Sequence, residues 1–409
     1  MKKWFIFVMC SFILLASIGN SPSKLPFGEP PADLKNVVDS NSAFALKLYS
    51  KLKAGNGNLF LSPYSISSAL ATVYAGARGN CERQISTALN FPDDQDKFHS
   101  AMLKIHQKLV EIDTRKGIEL NVANGLWLQK GYEFNNSFLD LVNKNYDCFA
   151  AQVDFKTTYE SEREKINSWI ERQTKQKIRN ALPAGILSSV TRLVILNAIY
   201  FKGDWANCFD KKNTVQESFL SSSGNSVIVP LMHQENVFRY GEQDNLQILE
   251  LPYIGYDLSM LILLPVEQKD LTELEEKLNY DNLARWIKSL GDRTVEIHFP
   301  RFAIDYQISL KQSLSTLGMS DAFSATDADF TGMTLKQPLF MDAVEHSALI
   351  EVDEQGTVAA ASSSVSFGCT AIIPPPLAKF RADHPFFFLI RDNHTGTILF
   401  LGRVVDPTN

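Results

Sequence analysis

The sequence predicts an α+β protein in which helices come first and the strands of a large mixed sheet follow. Three observations support this fold class. Apolar residues recur at helical spacing in the first half of the chain, apolar runs typical of buried strands fill the second half, and no linker or repeat separates the halves. The 409 residues are 45% hydrophobic and 21% charged, which is typical of a globular protein and excludes a disordered or coiled-coil chain.

Four segments of the first half have apolar residues at the spacing of a helix. Ser62 precedes Pro63 and an apolar helical pattern, so Ser62 is predicted to cap a helix that holds Pro63 in its first turn. The other predicted helices are Asn41–Leu52, Phe98–Ile112 and Glu162–Lys177. Their amphipathic character indicates that each buries one face.

Six segments are rich in the β-branched and aromatic residues that favour strands. They are Ile118–Leu128, Val190–Phe201, Leu246–Leu264, Val295–Phe302, Phe386–Ile390 and Thr397–Val404. A further strand is predicted at Leu349–Asp353. Because helical and strand segments follow one another without a linker, we expect one domain over residues 20–409.

The first 19 residues have the composition of a secretory signal peptide. Lys2 and Lys3 precede the apolar run Trp4–Leu15, and small residues follow as far as Gly19. An uncleaved anchor is the alternative, but the run is shorter than the roughly 20 residues that span a membrane. We therefore expect cleavage after Gly19, a secreted extracellular protein and no membrane association.

The cysteines that would remain after cleavage do not form the pattern of a disulfide framework or of a zinc site. Buried thiols are the favoured interpretation for Cys81, Cys148 and Cys208, while one or two disulfides stay open. Two sequons, at Asn135 and Asn393, are candidate glycosylation sites of a secreted protein.

The charge and the motif content exclude several classes of function. The formal net charge of −6 is spread along the chain, which argues against a nucleic-acid partner. The chain has no G-x-S-x-G, H-E-x-x-H or G-x-x-x-x-G-K-[ST] motif, so no hydrolase nucleophile, zinc protease or nucleotide site is indicated. We expect neither a catalytic residue nor a bound metal.

The most informative segment is residues 355–379. The strand Leu349–Asp353 ends in Glu354-Gln355-Gly356, and Thr357–Ser364 are almost all small and uncharged. Three prolines at 374–376 favour an extended, solvated backbone. The length and composition predict an exposed loop, which is unusual inside a compact domain and is typical of a functional element.

These residues resemble the hinge and the C-terminal signature of the serpins, a family of serine protease inhibitors. The segments that carry the resemblance are Glu354–Ala361 and Phe380–Phe386. Further matches follow in register along essentially the whole chain, at Asn58–Ile66, Tyr74–Asn80, Ile166–Glu171, Asn197–Trp205 and Asp329–Gly332.

The resemblance implies a single-domain monomer with three β-sheets, about nine helices and no catalytic residues of its own. It also implies a mechanism in which a serine protease attacks the loop and forms a covalent acyl-enzyme. The cleaved loop then inserts into the large sheet and traps the protease. Inserted side chains alternate between two faces. The hinge residues Gly356, Thr357, Ala359, Ala360 and Ala361 are small and neutral, as insertion requires.

The position of the reactive bond follows from a count along the loop from the hinge, as in most inhibitory serpins. This count places the bond between Thr370 and Ala371, and a register one residue earlier places it after Cys369. A cut after Phe367 would suit a chymotrypsin-like enzyme. No Lys or Arg lies between residues 355 and 379, so trypsin-like targets are disfavoured and elastase-like targets are favoured.

Other residues match the positions that control movement of the large sheet in this family. Trp205 matches the breach, where insertion begins, and Glu354 and Arg301 match a charge pair at the hinge. The matches to the shutter beneath the sheet are Ser62, Ser65, Asn197 and His346.

Three alternatives remain open. A heparin-like glycosaminoglycan could bind near the helix that carries Lys97, His99, Lys104, His106 and Lys108, although acidic neighbours dilute this charge and favour an ordinary solvated face. The target could be a papain-like cysteine protease, because a thiol acyl-enzyme can be trapped by the same loop. The chain could also be a non-inhibitory serpin that acts as a carrier or chaperone.

Overall fold

The computed structural model describes residues 32–92, 94–267, 271–355 and 377–408. The α-helices in these ranges are α1 (Ala32–Leu52), α2 (Pro63–Gly76), α3 (Gly79–Leu89), α4 (Gln95–Asp113), α5 (Asn136–Tyr146), α6 (Phe155–Gln173), α7 (Leu271–Lys277), α8 (Tyr280–Lys288) and α9 (Lys311–Thr316). The strands are β1 (Leu59–Leu61), β2 (Ile118–Gln129), β3 (Phe149–Val153), β4 (Leu193–Gly203), β5 (Val215–Leu220), β6 (Ser226–Gln243), β7 (Leu246–Pro252), β8 (Leu258–Pro265), β9 (Gly291–Pro300), β10 (Phe302–Ser309), β11 (Ala343–Val352), β12 (Ala378–Arg381), β13 (Phe386–Asp392) and β14 (Ile398–Val404).

One sheet of the described chain has five strands in the order β10-β11-β4-β2-β3. Antiparallel pairs join β10 to β11 and β4 to β2, while β11 and β4 run parallel, as do β2 and β3. The two central parallel strands β4 and β11 come from distant parts of the sequence. This sheet therefore forms only after long-range contacts are made.

The second sheet runs in the order β1-β14-β13-β8-β7-β6-β9-β12, with β5 paired to β6. Strand β6 joins two parts of it, because residues 239–243 pair with β7 while residues 226–240 pair with β5 and β9. The part of this sheet that contains β7 and the part that contains β5 and β9 can be counted as two sheets. With the five-stranded sheet they make the three sheets that the resemblance implies. The α+β class is confirmed, and nine α-helices lie within the described ranges.

Helix α2 lies between the two sheets and is buried along its whole length. It contacts β4 of one sheet and β14 of the other. The predicted cap is present, since the Ser62 hydroxyl accepts a hydrogen bond from the Ser65 backbone N–H and Pro63 occupies the first turn. A buried N-cap is required here, because water cannot reach the first N–H groups of such a helix.

The predicted segments are found with shifted boundaries. The apolar run Leu246–Leu264 is two strands, β7 and β8, joined by a turn in which Gly255 and Tyr256 have φ values of 81° and 60°. The run Val295–Phe302 belongs mainly to β9. The 18-residue strand β6 was not predicted, since polar residues interrupt its apolar pattern. No described helix is long and apolar enough to cross a membrane.

Candidate functional site

The candidate site is the contact between β4 and β11, which we call the seam. Eight Cα pairs align the two strands, from Ala343 opposite Val194 to Ile350 opposite Phe201. Both strands have an antiparallel neighbour on their outer side. A segment that left the end of β11 and turned back between the two strands would be antiparallel to both. The seam is thus the place where one strand can be added with two new antiparallel ladders.

The two faces of the seam differ in their surroundings. On one face Phe201 and Ile350 belong to the main core, which also contains α2. On the other face Leu196 and Ala343 belong to a smaller apolar cluster that includes residues of α6. An added strand would place alternate side chains toward these two environments. Only small neutral side chains can enter the core face without displacing it.

A buried hydrogen-bond network crosses the seam at one level. His346 and Asn197 are directly opposite each other, and His346 Nδ1 lies 2.6 Å from Asn197 Oδ1. The Asn197 amide donates to the Ser65 hydroxyl and to Asn124 Oδ1 on the next strand. The Ser62 hydroxyl donates to the Leu399 carbonyl at 2.6 Å. The four predicted shutter residues are therefore brought together beneath the sheet.

The hydrogen bonds determine the protonation of His346. Its Nε2 accepts from the backbone N–H of Ser62 at 3.1 Å, so the ring proton is on Nδ1 and is donated to Asn197. Complete burial lowers the pKa of His346 to about 3. The imidazole is consequently neutral at physiological pH, and its bond across the seam must break before a strand can be added there.

Asn124 completes this network and was not identified from the sequence. It lies opposite Asn197 in the β2–β4 register and is buried. Nothing in its local sequence distinguishes it from Asn121, the other asparagine of β2. Only the alignment of three strands shows that its side chain accepts a bond from Asn197.

Glu345 is a second residue that the sequence did not single out. Its side chain is buried on the face opposite to that of His346, and one carboxyl oxygen, Oε1, has no hydrogen-bond partner among the described residues. Burial raises the pKa of the Glu345 carboxyl to about 7 from an ordinary value of 4.5. Because the folded state disfavours the charged form, ionisation of Glu345 lowers the free energy of unfolding as the pH rises from 4.5 to about 7.

We expect Glu345→Gln to remove this pH dependence. A carboxyl whose folded pKa lies above its unfolded pKa loses its contribution to stability as the pH rises. The glutamine variant should therefore gain about 2 kcal/mol over the original chain between pH 5 and pH 8. Urea unfolding at both pH values measures the difference. The matched control is Glu351→Gln, on the same strand but half-exposed and paired with Lys177 at 2.8 Å, which should show no such gain.

The predicted breach residue Trp205 lies at the end of the seam. Its Nε1–H donates to the Asp353 carbonyl at 3.0 Å, and its ring stacks on Tyr253 with centroids 4.6 Å apart. The Asp353 carboxylate also pairs with Lys202 at 3.0 Å. The backbone that follows β11 is thus held to the end of β4 immediately before the predicted loop.

The hinge residue Glu354 is held by several partners. Its carboxylate accepts from the Thr214 hydroxyl at 2.7 Å and lies 3.5 Å from Arg301 Nε, while its carbonyl accepts from the Phe209 backbone N–H. The predicted pair of Glu354 and Arg301 is present. Because Arg301 is half-exposed and Glu354 is buried, Thr214 is the closer and better shielded partner.

Comparisons with known proteins agree with this geometry. A family model described as Serpin (serine protease inhibitor) matches residues 39–407. The chain belongs to the serpin family. It is 38% identical over 385 residues to a leukocyte elastase inhibitor of Xenopus tropicalis and 37% identical over 392 residues to Serpin B4 of Homo sapiens, covering 91% of this chain and 100% of each relative. Uncleaved ovalbumin has a similar structure, with a TM-score of 0.84, 30% identity and coverage of 91% and 100% of the two chains.

The family membership supports a protease inhibitor rather than an enzyme. Several residues assigned from the serpin resemblance lie outside the described residues, so the structure leaves them as predictions. They are the hinge residues Gly356, Thr357, Ala359, Ala360 and Ala361 and the reactive-bond residues Cys369, Thr370 and Ala371. The signal peptide of residues 1–19, which was predicted from composition, also lies outside the described residues.

The structure corrects two further expectations for this serpin, the glycosylation of Asn393 and the burial of Cys208. Asn393 is 2% exposed, donates to the Tyr256 carbonyl and accepts from Ser259, so its amide nitrogen is out of reach of a glycan. Asn135 is half-buried and donates to the carbonyls of Thr331 and Gly332. The thiol of Cys208 is exposed rather than buried as expected, whereas Cys81 and Cys148 are buried.

The proposed glycosaminoglycan face on α4 is also not supported. His99 is buried against the Tyr146 hydroxyl, and burial lowers its pKa to about 4, so it carries no charge toward solvent. Burial lowers the pKa of His106 as well. Lys97 pairs with Asp94 at 2.8 Å and Lys108 with Glu111 at 3.8 Å. The helix therefore lacks a continuous basic surface.

Proposed function

We propose that this serpin is a secreted inhibitor of elastase-like or chymotrypsin-like serine proteases and that it acts as a suicide substrate. The observation that supports it is the seam, where two parallel strands lie side by side and one of them ends directly before the small residues of the predicted loop. The protease serine would attack the carbonyl carbon of Thr370. An ester would form, the peptide bond would break, and the amino group of Ala371 would leave with a proton.

Insertion at the seam can drive the trapping step. One parallel ladder of eight residue pairs would be replaced by two antiparallel ladders, one on β4 and one on β11. Each added backbone hydrogen bond contributes about 1 kcal/mol net. At about 3.3 Å per residue, fifteen inserted residues would move the attached protease by roughly 50 Å. The network of Asn197 and His346 would open during this step.

The residues of the loop favour small-pocket targets. A threonine on the acyl side of the reactive bond fits a shallow specificity pocket, and the loop holds no Lys or Arg for a trypsin-like pocket. The names of several similar proteins, including the leukocyte elastase inhibitor of Xenopus tropicalis, agree with an elastase-like target. Secretion is proposed from the signal-like composition of residues 1–19.

Incubation with neutrophil elastase, pancreatic elastase, chymotrypsin and cathepsin L tests the proposed function. We expect a band at the summed mass that resists denaturant with an elastase, and a released peptide that begins at Ala371. Protein collected from the culture medium should begin at Asn20. A covalent band with cathepsin L alone would overturn the serine-protease assignment. Cleavage within residues 365–372 without any covalent band, and without thermal stabilisation of the product, would indicate a non-inhibitory serpin.

Thr370→Arg tests whether the reactive bond lies between Thr370 and Ala371. It adds a side chain for the trypsin pocket without changing the hinge. The variant should form the covalent band with trypsin and lose it with elastase. If Cys369 is the acyl residue, Cys369→Arg will produce this change instead. Both substitutions lie outside the described residues. The thermal transition of each uncleaved variant should match that of the original chain, which checks that the variant has folded.

A further inference from the structure

A cluster of potential metal ligands lies on the second sheet, away from the seam. His233 on β6 is directly opposite His298 on β9 in the antiparallel register. Glu296 lies two residues before His298 and so on the same face of β9. One ligand atom from each of the three side chains lies within 4.8 Å of the others. The sequence does not reveal this group, because His233 is separated from the other two by more than sixty residues.

The spacing of the ligand atoms suits a tetrahedral zinc ion. Zinc binds nitrogen and oxygen ligands at about 2.0–2.1 Å, so two ligands of a tetrahedral site are about 3.3 Å apart. Glu296 Oε1 lies 3.7 Å from His233 Nε2 and 3.2 Å from His298 Nε2. These two distances lie on either side of the ideal value. The third pair of ligand atoms lies within 4.8 Å, a separation that side-chain rotation alone can reduce.

His233 provides an independent indication of a ligand. Its Nε2 is buried and has no hydrogen-bond partner within the described residues, although it faces Glu296. A buried ring nitrogen without a partner is unfavourable. A metal ion placed between His233 and Glu296 would satisfy this nitrogen. The side chains remain 19–34% exposed, which leaves room for a water molecule as a fourth ligand.

Two basic residues of β12 limit the affinity of the site. Lys379 Nζ lies 3.4 Å from Glu296 Oε2, the oxygen that does not face the histidines. Arg381 Nη1 lies 3.4 Å from His298 Nδ1, and Arg381 also pairs with Glu217 and Asp383. These positive charges weaken the attraction of a cation. They do not occupy the three ligand atoms.

We propose that His233, Glu296 and His298 form a zinc-binding site on the β6–β9 ribbon of this serpin. The inference is independent of the proposed inhibitory function. Coordination through Nε2 requires the proton of His298 to lie on Nδ1. Arg381 would then lose its contact with Nδ1 and keep its ion pairs with Glu217 and Asp383. Zinc binding would thereby change the contacts of β12, the strand that follows the loop.

Titration of the untagged full-length protein with ZnCl2 tests the proposal, with binding measured by calorimetry. A background with both Cys208→Ser and Cys369→Ser removes the exposed thiol of Cys208 and the thiol of the predicted loop, which could otherwise bind zinc. We expect one ion per chain, and a loss of affinity of about 100-fold in both His233→Gln and His298→Gln. Lys379→Gln should increase the affinity, because it removes a repulsive charge without touching a ligand atom.

The matched control is His106→Gln, a half-buried histidine on α4 that should not change zinc binding. Co²⁺ provides a test that needs no variant, since the original chain should show the visible absorption of a tetrahedral Co²⁺ ion with nitrogen and oxygen ligands. The proposal is wrong if His233→Gln, with an unchanged thermal transition in the absence of metal, binds zinc as tightly as the original chain. Absence of binding in the original chain would also overturn it.

Discussion

Replacing Ala359 with arginine is expected to convert this serpin from an inhibitor into an ordinary substrate of its target protease. In an inserted strand Thr357, Ala359 and Ala361 would face one side and Ala360 the other, and we expect the set that contains Ala359 to face the core. At that end of the seam the core face consists of Phe201, Ile350 and Val352, which are buried and apolar. An arginine among them loses its hydration. A penalty of about 3 kcal/mol would slow insertion about 100-fold, so that deacylation would occur first.

The measurement is the number of inhibitor molecules consumed per protease molecule, together with the covalent band on a denaturing gel. We expect consumption to rise to roughly ten or more and the band to fade, while the loop is cleaved as fast as before. Ala360→Arg is the matched control, because the next residue should face outward near Glu351 and Lys202, which are half-buried and charged. Equal inhibition by both variants, or equal loss, would contradict the assigned alternation.

The fold could be predicted because local patterns and family motifs agree over most of the chain. The cap of α2 was predictable from Ser62 and Pro63, since a polar cap before a proline is a local signal. Strand β6 was not, because its central residues Gln234, Glu235 and Asn236 are polar and interrupt the apolar alternation. Its length is imposed by pairing with its sequence neighbours β5 and β7 and with β9, which is distant in the sequence.

The candidate site was predictable only where a motif marked it. Asn197 and His346 were matched through their neighbours, whereas Asn124 has a role only because β2 places it opposite Asn197. Glu345 lies in an apolar strand, and its burial depends on which face α6 covers. Side-chain partners across three strands are set by register, and register is a property of the folded sheet.

Asn197→Leu is expected to destabilise the sheet at the seam. The substitution removes the acceptor of the His346 Nδ1–H and the donor to Asn124 Oδ1, and both groups remain buried. Each buried polar group left without a partner costs about 1–3 kcal/mol, so the loss of stability should be about 3 kcal/mol. Because the bond across the seam is also lost, insertion of the uncleaved loop and polymer formation should accelerate on heating.

Thermal unfolding and native gels of heated samples measure the two effects. Asn121→Leu is the matched control on β2, because Asn121 is similarly buried and its amide nitrogen has no partner among the described residues, so its loss should change stability little.

A double-mutant cycle with His346→Phe separates the bond across the seam from simple loss of packing. If His346 and Asn197 interact directly, Asn197→Leu should cost less stability in the His346→Phe background than in the original chain. Phenylalanine has no imidazole N–H that could be left without an acceptor. Strict additivity, or an Asn197→Leu variant as stable as Asn121→Leu, would show that the network does not hold the seam closed. Coupling together with faster polymer formation would identify this hydrogen bond as the element that restrains insertion before the loop is cleaved.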